Sequence, residues 1–198
     1  MDSVLVVCTG NVCRSPIAEG LLRSAFEDRR GPNAPAVSSV GTMGWSGSPA
    51  DPNSVEAAAE RGIDISSHRA REISDRDIDD ATVVLGMSGE HARAVVSQHP
   101  GAASRTFTLK ELVRLLEALP PAGPDTSMAE RVVAADALRA DGFAGNRYDE
   151  DVADPLGMAL DSFRAVAWEL HEWCARLADG LLGHVQAPVA TQADGTSG

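Results

Sequence analysis

Short runs of consecutive apolar residues alternate along the chain with stretches in which apolar positions recur every three or four residues. The runs "SVLVV" at 3–7, "AVSSV" at 36–40, "ATVVLGM" at 81–87 and "SRTFTL" at 104–109 are rich in β-branched residues. A continuous apolar run is what a strand covered on both faces requires. Four strands alternating with helices predict an α/β fold: a three-layer α/β/α domain around a central, four-stranded, parallel, doubly wound sheet.

Helix ends are marked chemically. Ser15 is expected to cap a helix with Pro16 at its first position, and Asp51 with Pro52 repeats the device; Thr108/Glu111 and Ser127/Glu130 have capping-box spacing. In the last helix Leu160, Phe163, Ala167, Leu170, Cys174, Leu177 and Leu181 share one face, which places Cys174 toward the core. "PPAGPD" at 120–125 and "DGFAGN" at 141–146 break the pattern on either side of a short helix, "MAERVVAADALRA". The stretch 115–149 therefore reads as a surface insertion, able to cover a cleft as a lid, to dock a partner, or simply to be tolerated. The domain is expected over 1–183, and 184–198, with neither periodicity nor apolar density, is expected to be disordered.

Composition narrows the classes. With 198 residues and 43% hydrophobic content the chain suits one domain. Seventeen basic residues against 29 acidic give a net charge of −12, without a basic cluster to track a phosphate backbone, so nucleic acid is not an expected partner. No apolar run approaches a membrane span and the N-terminus lacks the pattern of a signal peptide, so a cytoplasmic protein is expected. Three cysteines are no disulfide framework, and five scattered histidines offer no metal-ligand spacing; neither a metal nor another cofactor is implied.

Within this frame, "SVLVVCTGNVCRSPIAEGLL" at 3–22 stands out. A strand that opens into a Gly-containing loop and then a helix gathers backbone N–H groups at one point, the usual phosphate site of an α/β sheet. The same field stabilises a thiolate, which gives Cys8 a reason to sit there as a nucleophile. Arg14 carries a planar fork suited to two phosphoryl oxygens. Ser15 can donate toward the Cys8 sulfur, and Asn11, which tolerates left-handed backbone angles, can brace the turn. A C-x5-R spacing alone is weak among three cysteines; strand, C-T-G-N-V-C-R-S-P and helix together are specific.

Phosphoryl transfer to sulfur needs an acid for the leaving oxygen and a base for water, and one side chain can serve both. The candidate is Asp154 in "EDVADPLG", held extended by Pro155 on a loop before the last helix. Asp149, Glu150 and Asp151 are expected to raise its pKa by like-charge repulsion. The bland alternative is an N-cap on that helix.

These residues resemble the low-molecular-weight protein tyrosine phosphatase family, bacterial branch. The resemblance rests on V-C-T-G-N-V-C-R-S-P at 7–16, Asp154-Pro155, "SSVGTMGWSGSPADP" at 38–52 and "RGIDISSHRAREI" at 61–73. It implies a phosphatase acting on protein phosphotyrosine and small aryl phosphates through a phosphocysteine, with Cys8 as nucleophile, Arg14 as clamp and Asp154 as general acid. Thr9, Gly10, Asn11, Val12, Cys13, Ser15, Ser39 and His68 would form or brace the phosphate loop. Val12, Trp45 and Leu156 would line the substrate cleft, Leu156 standing where phosphotyrosine-specific members commonly carry an aromatic residue. A bacterial tyrosine kinase of polysaccharide export is the implied partner; the oligomeric state is not indicated.

Three other readings stay open. Arginine phosphatases share the branch, and "GMSGEHARAVVSQHP" with "FTLKEL" resembles them, but their members carry Thr where this chain has Val12. Arsenate reductases share the fold but need further cysteines, unless a low-molecular-weight thiol substitutes. A phosphate-binding module without turnover would need neither Cys8 nor Asp154. Cys13 is either a small packing residue or a partner that traps oxidised Cys8 as a disulfide.

Overall fold

The computed structural model describes residues 2–43, 45–123, 125–143 and 150–183. Four strands, β1 (Ser3–Cys8), β2 (Ala36–Gly41), β3 (Val83–Gly86) and β4 (Thr106–Thr108), form one parallel sheet in the order β2-β1-β3-β4. The order reverses direction beside β1, so the carboxyl ends of β1 and β3 open onto the crevice where doubly wound sheets bind ligands. The strand cores are those expected, with β3 and β4 shorter than their apolar runs.

Alternation along β1 divides the interior. Val4, Val6 and Cys8 face one layer, built from α1 (Arg14–Arg30), α2 (Pro52–Ala59), α5 (Leu109–Ala118) and α7 (Leu160–Leu182). Leu5 and Val7 face the other, where Ile78 of α3 (Asp75–Asp79) and Val95 of α4 (Gly89–Gln98) pack. On α7, Phe163, Ala167, Leu170, Cys174, Leu177 and Leu181 are all buried as the periodicity requires, each large one contributing about 1.5–3 kcal/mol. Leu160, at the helix's first position, is only half-buried. Burial holds the Cys174 thiol firmly protonated.

Asp51 caps α2 by accepting from Asn53 N at 2.8 Å, and the boxes at Thr108/Glu111 and Ser127/Glu130 both close. Ser15 does not cap: α1 starts at Arg14, so Pro16 is its third residue, and the Ser15 hydroxyl is drawn to the Cys8 sulfur instead. Nor is Asp154 an N-cap, since α7 begins after Ala159.

The segment 115–149 is less of a surface excursion than its composition suggested. Residues 115–118 complete α5, and α6 (Met128–Ala140) buries Met128, Arg131, Val132 and Ala135. Arg131 donates to the carbonyls of Gly180, Pro120 and Leu116, and Arg139 to those of Thr106 and Ala103. These carbonyls lie at the ends of α5 and α7 and the start of β4, so α6 packs at the end of the sheet opposite Cys8. A helix there is no lid. Residues 144–149, Asp149 among them, and 184–198 fall outside the described residues.

No helix among the described residues is long and apolar enough to cross a membrane.

Candidate active site

The Cys8 thiol stands at the end of β1, 2.9 Å from Ser15 Oγ and 3.3 Å from the Asn11 N–H that donates to it. The loop that surrounds it turns its carbonyls outward. Those of Cys8 and Thr9 accept from Thr42 N and Met43 N, that of Asn11 from His68 Nε2 at 2.8 Å, and that of Val12 from Asp51 N. With these carbonyls bound from outside, the peptide planes leave their N–H groups for the interior of the loop, where an anion would sit.

Asn11 is the centre of the brace. It is fully buried, with φ of 56°, the left-handed conformation that asparagine tolerates. Its Nδ2 donates to Ser15 Oγ (2.9 Å) and Ser39 Oγ (2.8 Å), and its Oδ1 accepts from Arg71 N (2.9 Å). Ser39 in turn donates to Glu19, which pairs with Arg23. His68 is thus no free turn residue. Gly41 has a steric duty here: a Cβ would stand 2.6 Å from the Thr9 carbonyl oxygen.

Arg14, 6% exposed, reaches across to the acid segment, donating through Nη1 to the Val152 carbonyl (3.2 Å) and through Nη2 to Asp154 Oδ2 (2.6 Å). Its buried Nε has no partner, a donor left for an incoming oxygen. Asp154 is half-exposed at the cleft, and its Oδ1 accepts from Leu156 N. The like-charge pressure foreseen is not the arrangement found: Glu150 binds Arg114, Asp151 accepts from Gly89 N, and the charge facing Asp154 is the Arg14 cation.

The cleft is lined by Cys8, Thr9, Gly10, Val12, Cys13, Arg14, Trp45, Asp154 and Leu156. The Trp45 ring lies against Gly10, where a Cβ would meet it at 2.9 Å. Trp45 and Leu156 are exposed, at 41% and 46%, and form apolar walls for a flat ring. Cys13 is buried near Ser54, and burial pushes its thiol up to about 12, so it rests protonated.

One residue of the site had no sequence reading. His91, 3% exposed, links Thr9 Oγ1 (Nε2, 2.9 Å) to Ser88 Oγ (Nδ1, 2.8 Å). Burial, with the Arg14 charge second, pushes its pKa from 6.5 down to about 4. As pH falls, the unfolded chain takes up this proton first, so stability present above pH 6.5 is lost progressively down to about pH 4, by roughly 3 kcal/mol at most. The urea midpoint of His91→Gln should accordingly fall less than that of wild type between pH 7.5 and 4.5; parallel falls would show that His91 is not the group.

A strand-end thiol in a donor-lined loop, an arginine closing that loop and a carboxylate opposite are cysteine-dependent phosphatase architecture. Residues 3–120 match the model of the low molecular weight phosphotyrosine protein phosphatases, and the chain belongs to that family. It is 42% identical over 114 residues to the probable low molecular weight protein-tyrosine-phosphatase EpsP of Ralstonia solanacearum, covering 57% of this chain and 73% of the relative. It is 32% identical over 178 residues to a protein-arginine-phosphatase of Geobacillus stearothermophilus, covering 90% and 95%. The low molecular weight protein tyrosine phosphatase structure from T. tengcongensis superposes with a TM-score of 0.69 at 33% identity, over 91% of this chain and all of that one.

Proposed function

We propose that the protein hydrolyses phosphotyrosine in proteins, and small aryl phosphates, through a phosphocysteine. The observation that carries this is the Cys8 sulfur at the floor of a cleft with Asn11 N and Ser15 Oγ directed at it and Arg14 and Asp154 at its side. Cys8 attacks phosphorus in line, the S–P bond forming as the P–O bond to the phenol breaks. Arg14 and the loop N–H groups take up the charge spreading over the equatorial oxygens. Asp154 gives its proton to the departing phenolic oxygen, then takes one from the water that displaces the sulfur and releases phosphate. Ser15, donating to the sulfur, eases both its attack and its departure.

The relative covering nine-tenths of the chain is named for arginine phosphatase activity, which makes phosphoarginine the second reading. Three features favour the phenyl ring: Val12 presents an apolar side chain to the cleft, Trp45 walls one side of it, and the Thr9 hydroxyl is already engaged by His91; Leu156, standing where phosphotyrosine-specific members commonly carry an aromatic residue, is the departure that counts against it. Two finer readings go with it: a bacterial tyrosine kinase as the phosphoprotein, from the resemblance, and the cytoplasm as the compartment, from the sequence pattern.

The test is kcat/KM for a phosphotyrosine peptide and a phosphoarginine peptide of the same flanking sequence. A preference for phosphotyrosine of about tenfold or more is expected from the apolar slot; a reversed preference would transfer the assignment to phosphoarginine.

A further inference from the structure

The segment that delivers Asp154 is tied down residue by residue. Glu150 accepts from Arg114 (2.8 Å), Asp151 Oδ1 from Gly89 N (2.8 Å), and Val152 N donates to the Met87 carbonyl (2.8 Å). The Asp151 carbonyl is taken by Lys110, whose Nζ lies 2.9 Å away. Lys110 is the chain's single lysine, the second residue of α5, and 1% exposed. Its ammonium also meets Glu169 Oε1 of α7 at 2.6 Å and stands 5.8 Å from the centre of the Trp173 ring.

A buried ammonium is an expensive way to fill space; an apolar side chain of similar volume commonly serves stability as well or better. What it adds is a donor joining α5, α7 and the acid segment at one point. That point matters because, beyond the Leu156 N–H two residues on, the hold on the Asp154 carboxylate is Arg14, the residue that must also grasp phosphate. Once Arg14 is drawn toward a phosphoryl group, the position of Asp154 depends on the backbone behind it, and the Asp151 carbonyl is three residues upstream.

We propose that Lys110 is a positioning residue for the acid step: through the Asp151 carbonyl it sets where Asp154 stands when Arg14 is occupied by substrate. This rests on the reading of Asp154 as the general acid. A phenol as basic as tyrosine needs the proton and a nitrophenol does not, so the role has a signature that loss of packing lacks.

The experiment compares kcat/KM for a phosphotyrosine peptide and p-nitrophenyl phosphate in wild type, Lys110→Met and Arg131→Met, the last removing a buried cation at the far end of the sheet. Lys110→Met should lose about 10- to 100-fold on phosphotyrosine and less than about threefold on p-nitrophenyl phosphate. Inhibition by inorganic phosphate should be unchanged, and Arg131→Met should scale both substrates alike. Equal losses on both substrates in Lys110→Met, or no loss, would overturn the proposal. If that variant does not fold, Lys110→Gln, which keeps a donor without the charge, is read the same way: a smaller bias against phosphotyrosine supports the role, and an even loss overturns it. Asp154→Asn separates the two readings. If it lost activity evenly on the two substrates, or not at all, the acid assignment itself would fall and Lys110 with it, whereas an unbiased Lys110 variant beside an Asp154→Asn biased against phosphotyrosine removes the Lys110 role alone.

Discussion

Cys8→Ser should release no phosphate above background, a loss on the order of 10⁴-fold or more in kcat, because a serine hydroxyl at the same point remains protonated and no phosphocysteine can form. The cleft should survive. Asn11 N and Ser15 Oγ lie within reach of an oxygen as they do of sulfur, and the braces from Ser39, His68 and Arg71 do not involve the thiol. Inorganic phosphate should therefore still bind the variant, as followed by calorimetry, while its turnover of p-nitrophenyl phosphate is lost. Residual turnover within tenfold of wild type would give the chemistry to another group.

Arg14→Lys carries the second large effect, about 10²- to 10³-fold in kcat/KM. A lysine keeps the charge but has one nitrogen where the guanidinium uses three: Nη1 on Val152, Nη2 on Asp154, and Nε left for the phosphoryl oxygen. The loss should appear with p-nitrophenyl phosphate as strongly as with phosphotyrosine, since the clamp acts on the phosphoryl group rather than on the leaving oxygen. A variant within threefold of wild type would show that the loop N–H groups suffice without a fork.

The contrast between these residues and the rest of the site follows sequence separation. Cys8, Asn11, Arg14 and Ser15 lie in one strand-loop-helix passage, where residue type and spacing already state the chemistry. Asp154, 140 residues from Arg14, was reachable because Asp-Pro before a helix is itself a signal. Ser39 and His68, 28 and 57 residues from Asn11, came only through family resemblance, for a serine in a strand and a histidine in a turn carry no mark of what they face. His91 and Lys110 were not seen. The sole cue for His91 was a serine three places earlier after an apolar strand, and Lys110 reads as an ordinary polar position of an amphipathic helix. The misplaced cap at Ser15 has the same root: Ser-Pro is a fair helix start until the sulfur seven residues back claims the hydroxyl.

The placement of α6 separates two ends of one domain. The residues that line the cleft gather at the carboxyl ends of the strands, and this helix is built against the other end. Changes of length or sequence there trade against Arg131, Arg139 and the tips of α5 and α7, and leave the cleft as it was. A tag or reporter carried on the exposed face of α6 would therefore ride at the base of the sheet, away from the cleft.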